Sequence, residues 1–124
     1  MEESSKMPED MERVPITILI TDEGMGKGDH KLQLKLINNY LRILNENNVL
    51  PAAICFYADG VKLAVEGSPV LEELRSLEEK GVWLVVCQTC LNHYELNQKV
   101  QVGIVGGMTD IIEAQWRADK VITL

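Results

Sequence analysis

Apolar, β-branched-rich runs alternate along this chain with stretches whose apolar residues recur at helical spacing, and that alternation limits the fold more than any other feature. Pro15 to Ile20 (PITILI), Ala52 to Ala58 (AAICFYA) and Val82 to Val86 (VWLVV) are uninterrupted, so each reads as a strand covered on both faces. Val102 to Val105 and Lys120 to Leu124 read as a short fourth strand and a fifth. Between the first two runs, Leu32, Leu36, Ile37, Tyr40, Leu41 and Leu44 predict a helix that Asp29 caps and that runs to about Asn47. Gly67, Ser68 and Pro69 open a second helix with Val70, Leu71, Leu74 and Leu77 as its buried stripe, and Gly81 is placed to end it in the left-handed conformation. Met108 or Thr109 opens a last helix bearing Ile111, Ile112 and Trp116. Strands separated by whole helices pair in parallel through right-handed crossovers. The expected fold is therefore a three-layer α/β/α sandwich with a mainly parallel sheet of about five strands.

A chain of 124 residues has room for one core. Residues 1–13 carry five acids, two bases, a proline and two serines without apolar period, and read as a disordered acidic leader before a single domain over 14–124. They lack the apolar stretch of a secretory signal, and no apolar run approaches the ~20 residues a bilayer helix needs. The expected location is the cytoplasm, where thiols stay reduced. A net charge of −7 repels phosphate backbones and anionic lipid, so neither nucleic acid nor membrane is an expected partner. The aromatic content, 5%, is also too low for a base-stacking platform.

In open α/β sheets chemistry gathers beyond the carboxyl ends of the strands, and Cys87 stands where the third strand stops. Cys90 follows three residues on, within a loop expected over Gln88 to Lys99. A turn of helix beginning at Thr89 or Cys90 would aim backbone amides at Cys87 and lower its thiol pKa. The plainer reading of Cys87 is a small buried side chain closing the strand, which is also the reading of Cys55 in mid-strand. A thioredoxin-like reductase presents a proline loop against its redox pair, whereas the prolines here are 8, 15, 51 and 69, all before the motif. Structural zinc needs four ligands, and one loop supplies at most Cys87, Cys90 and His93, so no metal is expected. The loop Gly24 to Gly28 lacks either phosphate fingerprint, yet Gly26, Lys27 and Gly28 could present amides and charge to an anion, or form a tight structural turn. Asp22 and Glu23 in that loop, and His93 and Tyr94 beyond the cysteines, are the side chains able to trade protons. His30 has no evident partner.

The glycine loop with Gly28-Asp29, the stretch Gly60-Val61-Lys62-Leu63 followed by Glu66-Gly67-Ser68, and Gly81-Val82 leading to Cys87-Gln88-Thr89-Cys90-Leu91 together resemble the DsrE-like sulfur-relay family. The closest likeness is to the carboxyl-terminal domain of YedF-type, sulfurtransferase-like proteins, over residues 14–124. The resemblance implies a parallel five-stranded α/β/α domain, assembly into homo-oligomers, and a strand-end cysteine that accepts sulfane sulfur as a persulfide. By its place in the motif that cysteine is Cys87, with Cys90 placed to resolve the persulfide, and Gly26, Lys27, Gly28, Thr89 and His93 the candidate substrate contacts. No cofactor is implied, and the sulfur donor and acceptor are proteins acting in trans. Carriers tend to follow the motif with arginines and a glycine, where this chain has Asn92, His93, Tyr94 and Glu95. That difference keeps open an alternative of another class, a non-catalytic module of the same fold that binds a small molecule or protein.

Overall fold

The computed structural model describes residues 13–124. Its order is β1 (Arg13–Ile20), α1 (His30–Glu46), β2 (Leu50–Phe56), a 3-10 segment (Ala58–Ala64), α2 (Leu71–Glu79) and β3 (Trp83–Cys87), then α3 (Gln88–His93), a short 3-10 turn (Asn97–Lys99), β4 (Ile104–Gly106), α4 (Met108–Arg117) and β5 (Lys120–Thr123). The expected leader falls, except for Arg13, outside the described residues; Arg13 itself already pairs with Leu50.

All five strands pair in parallel, in the order β4-β3-β2-β1-β5. From β1 the chain steps in one direction to β2, β3 and β4, and then crosses back beneath the sheet to the far edge at β5. Right-handed crossovers put α1 and α2 on one face and α4 on the other. The side chains agree. Asn45 of α1 donates to the Glu73 carbonyl of α2 at 3.2 Å, whereas Thr17 of β1, buried, donates to the Ala114 carbonyl of α4 at 2.9 Å. The three-layer sandwich follows, and the connections that leave the adjacent strands β3 and β4 run in opposite directions. In such sheets the crevice at the reversal is where ligands collect. Cys87 is paired there with Gly106.

The core is one continuous cluster in which Ile18, Ile20, Ile54, Phe56, Leu84 and Val86 are sealed from water. Covering both faces explains why the three central strands lack polar alternation. Asp29 caps α1 as expected, accepting from the Leu32 amide at 3.1 Å, and Gly81 adopts φ 101° behind α2. Ile37 and Leu41 carry the buried stripe of α1, while Leu32 and Leu36 remain exposed.

Several boundaries differ from the sequence reading. The second helix begins at Leu71 rather than at Ser68 or Pro69. Val102 is buried but precedes the fourth strand, because Gly103 at φ 82° turns the chain before Ile104. The expected loop over Gln88 to Lys99 holds α3 and a 3-10 turn. β2 ends at Phe56, and Ala58, expected inside the strand, opens a seven-residue 3-10 segment instead. That segment crosses closely over the end of β1: the Tyr57 amide donates to the Ile20 carbonyl at 3.1 Å, and a Cβ on Gly60 would lie 1.9 Å from the same oxygen. Only glycine fits at 60 without moving backbone. Gly60→Ala is expected to cost about 2–3 kcal/mol, the scale of forced overpacking, read as a lower denaturant midpoint; an unchanged midpoint would show that the crossing is loose.

Candidate functional site

β3 ends at Cys87, which is also the residue before α3, so both motif cysteines stand at the carboxyl edge of the sheet. Their depths are the reverse of the expectation. Cys87 has 0% of its surface exposed and belongs to the core cluster, with its Sγ 3.9 Å from the Met108 Sδ. Its place in the motif located it at the sheet edge but carried no information on depth, and Met108, from the start of α4, packs against it. Cys90 is the partly exposed thiol of the pair.

The expected helix-start amides do not serve Cys87 either. Its side chain makes no capping bond, and α3 spans only six residues. The amide that reaches a sulfur is that of Ala58, which donates to Cys90 Sγ at 3.1 Å from the far side of the cleft. Ala58 holds φ 53°, a left-handed conformation that costs a residue with a Cβ about 1–2 kcal/mol. Burial pushes the Cys90 thiol pKa up, the Ala58 amide pulls it back by favouring the thiolate, and a hydrogen bond and charge interaction with Cys87 push it up again. The balance is upward. Cys87 thus lies in the core with the Met108 sulfur against it, and Cys90 stands nearer the surface.

A polar cluster flanks Cys90. The Tyr94 hydroxyl donates to Asp59 Oδ1. Lys62 Nζ lies 3.4 Å from Asp59, 3.7 Å from Glu23 and 4.4 Å from the centre of the Tyr94 ring. Tyr94 is held above its ordinary pKa chiefly by that hydrogen bond to Asp59, and Asp59 below its own chiefly by the same bond. Partial desolvation lowers Lys62, but Asp59 and Glu23 together outweigh it and raise the ammonium. Tyr94, Lys62 and Glu23 also line a groove of about 610 Å³, together with His30, Ser68 and Leu34.

The remaining predicted contacts are spread around this region. Gly26, Lys27 and Gly28 are exposed, and from their loop it is Glu23 that lines the groove. Gln33 pins the loop to α1: its side chain donates to the Gly26 carbonyl at 2.7 Å and to Asp22 at 3.1 Å, and its own carbonyl accepts from Met25 at 3.1 Å. A side chain at 24 would strike Gln33 at 2.5 Å, so that glycine serves the turn. Thr89 is exposed on α3, and His93 is exposed with its ring edge-on to Tyr94 at 5.0 Å. Among the described residues no three His, Cys, Asp or Glu side chains converge as a metal site. The sequence assigns no role at the site to Ala58, Asp59, Lys62 or His30, and nothing local to the 58–62 stretch signals a contact 32 residues away at Cys90.

An all-parallel five-stranded domain with a thiol pair at its reversal point is the class of protein that this geometry defines. Residues 15–124 match the DsrE/DsrF-like family, and the chain belongs to it. No match is found among curated proteins. Among solved structures the chain is similar to the ychN protein from E. coli, with 18% identity, a TM-score of 0.62 and coverage of 87% of this chain and 97% of that one. It is also similar to MTH1491, a protein of unknown function from Methanobacterium thermoautotrophicum, with 18% identity, a TM-score of 0.65 and coverage of 90% and 98%. BT1422 from Bacteroides thetaiotaomicron matches with 17% identity, a TM-score of 0.65 and coverage of 88% and 93%. At these identities the likeness is one of fold. No helix among the described residues is long and apolar enough to cross a membrane.

Depth alone sorts the three thiols. With iodoacetamide in native buffer, Cys90 is expected to alkylate while Cys55 and Cys87 react only after denaturation, as peptide mass mapping will read; native labelling of Cys87 would mean that its cover opens readily. Burial also raises the Cys55 thiol pKa from 9.0 to about 11. The folded state therefore favours the protonated thiol, and stability present below about pH 9 is lost as pH rises toward about 11. Cys55→Ala should flatten the alkaline fall in stability by about 2–3 kcal/mol over that window, seen in denaturant midpoints against pH. Parallel curves for the two proteins would refute the assignment.

Proposed function

We propose that this chain is a cytoplasmic sulfur carrier of the sulfurtransferase-like kind, and that Cys90 rather than Cys87 is the thiol that receives the sulfur. The observation that carries this reading is the pairing of Cys90's partial exposure with the Ala58 amide on its Sγ. Sulfane transfer is a thiol exchange. The Cys90 thiolate attacks the outer sulfur of a donor persulfide; the donor's sulfur–sulfur bond breaks as the new one forms, and the donor leaves as a thiolate. No electrons are gained or lost overall, so the exchange needs no redox cofactor. The receiving sulfur then passes its cargo to an acceptor thiolate by the same step in reverse. Cys87, closed off in the core, is the second member of the pair and does not meet the donor.

Membership of the DsrE/DsrF-like family supports the reading, as does the place of the pair at the crossing reversal of the sheet. Donor and acceptor are proposed to be proteins in trans, approaching over the exposed face of α3. The binding-module reading is favoured by a different observation: the motif is followed by Asn92, His93, Tyr94 and Glu95 without a basic pair, and the Cys90 thiol pKa is raised.

Loading separates the two. Incubation with a small-molecule persulfide followed by intact mass is expected to add about 32 Da, one sulfur atom transferred by exchange, mapping to Cys90. Cys90→Ser should abolish the adduct, and Cys87→Ser should retain it. An adduct on Cys87, or none on any thiol, would overturn the carrier as written here.

A further inference from the structure

The donor of the hydrogen bond to Cys90 Sγ is the left-handed Ala58. Nothing about alanine favours φ 53°, so the surroundings must impose it. On one side Gly60 is fixed by its close approach to the Ile20 carbonyl. On the other side stands Tyr94, one helical turn beyond Cys90, whose hydroxyl reaches the side chain of Asp59, the residue directly after Ala58. The chain is thereby tied at Asp59 and Gly60, the two residues directly after the strained amide, and at Tyr57 before it, whose amide donates to the Ile20 carbonyl. The Asp59 to Tyr94 bond spans 35 residues and joins the same two elements as the Ala58 to Cys90 bond.

We propose that Tyr94 is a positioning residue: through its hydroxyl on Asp59 it holds the Ala58 amide on the sulfur of Cys90, so that the thiolate is stabilised by an aimed backbone dipole instead of by a neighbouring cation. The inference rests on the carrier reading for its purpose but not for its geometry. The charged and titratable groups about the cleft are Cys87 at the end of β3, Asp59 and Lys62 on the 3-10 segment, Glu23 on the loop after β1, His93 at the end of α3 and Tyr94 just after it. Lys62 is shared between two carboxylates, and its ammonium lies over the Tyr94 ring. The Ala58 amide is the group that favours the Cys90 thiolate.

The test is the pH profile of Cys90 alkylation, with peptide mapping, in three forms of the full chain. Tyr94→Phe keeps the ring beneath Lys62 and removes only the hydroxyl. It should move the profile to higher pH, slowing alkylation at neutral pH about tenfold, which corresponds to one pKa unit. Asp59→Asn keeps an acceptor for the Tyr94 hydroxyl and removes the negative charge, so its profile should stay in place or move to lower pH. A Tyr94→Phe profile that coincides with that of the unsubstituted chain, or moves downward, overturns the proposal. So does an upward shift of equal size in Asp59→Asn, which keeps the acceptor of the positioning bond and so cannot owe its shift to losing that bond. Sulfur loading by mass on the same samples distinguishes the two ideas: no loading with a shifted profile removes the carrier reading alone, and loading with an unmoved profile removes the positioning role alone.

Discussion

The backbone of Gly60 lies so close to the Ile20 carbonyl that no side chain fits between them, and the candidate site depends on that contact. Parallel strands release their chains at one edge of the sheet, so the loops after β1, β2 and β3 compete for the same space. Here the competition is resolved by laying the segment after β2 directly across the end of β1. The Tyr57 amide takes the last β1 carbonyl, and the chain must then turn sharply to leave room for α3 after β3. Ala58 absorbs that turn. Its amide, freed from the ladder, points at the first turn of α3, where Cys90 stands. The strain at one residue and the hydrogen bond to one sulfur are thus two results of a single crossing.

The sequence was informative wherever one element's own residues decide its state. Continuous apolar runs revealed the central strands because burial on both faces leaves no polar alternation, and Asp29 and Gly81 marked helix ends because a cap and a left-handed turn are local requirements. The resemblance carried by the glycine loop, the 60–68 stretch and the CxTC motif led to the right family. What could not be read was depth. A residue at the end of a strand is at the sheet edge in every such fold, but whether it meets water depends on what the next elements lay over it. Met108, 21 residues on, packs against Cys87. The contacts of Ala58 with Cys90 and of Asp59 with Tyr94 are likewise non-local and leave no periodicity to detect.

The charge of −7 adds a constraint on how a thiolate can be accommodated. Asp59 and Glu23 surround the one lysine of the cluster, and its ammonium is committed to them. A backbone amide is a donor that carries no net charge and cannot be captured by a carboxylate in the same way. An amide held by surrounding structure needs no reorganisation when a charge develops in front of it, which is where preorganised dipoles gain over mobile side chains. The absence of arginines after the motif and the presence of a strained amide opposite it are consistent parts of one design.

A raised thiol pKa is usually a handicap for a nucleophile, yet for a carrier it has a directional consequence. The thiolate fraction falls as pKa rises, but the intrinsic nucleophilicity of each thiolate increases, so uptake suffers less than the change in ionisation suggests. Release is different. Passing the outer sulfur onward expels the Cys90 thiolate, and a more basic thiolate leaves more slowly. A sulfur loaded on Cys90 would therefore be held until an acceptor supplies a good geometry for attack, because spontaneous loss requires the poorer leaving group. The Ala58 amide works against that retention by stabilising the departing thiolate, and the buried Cys87 works for it by disfavouring charge beside it. On the carrier reading, retention and release at Cys90 would be set against each other by two neighbours, Cys87 fixed in the core and Ala58 on the crossing segment after β2.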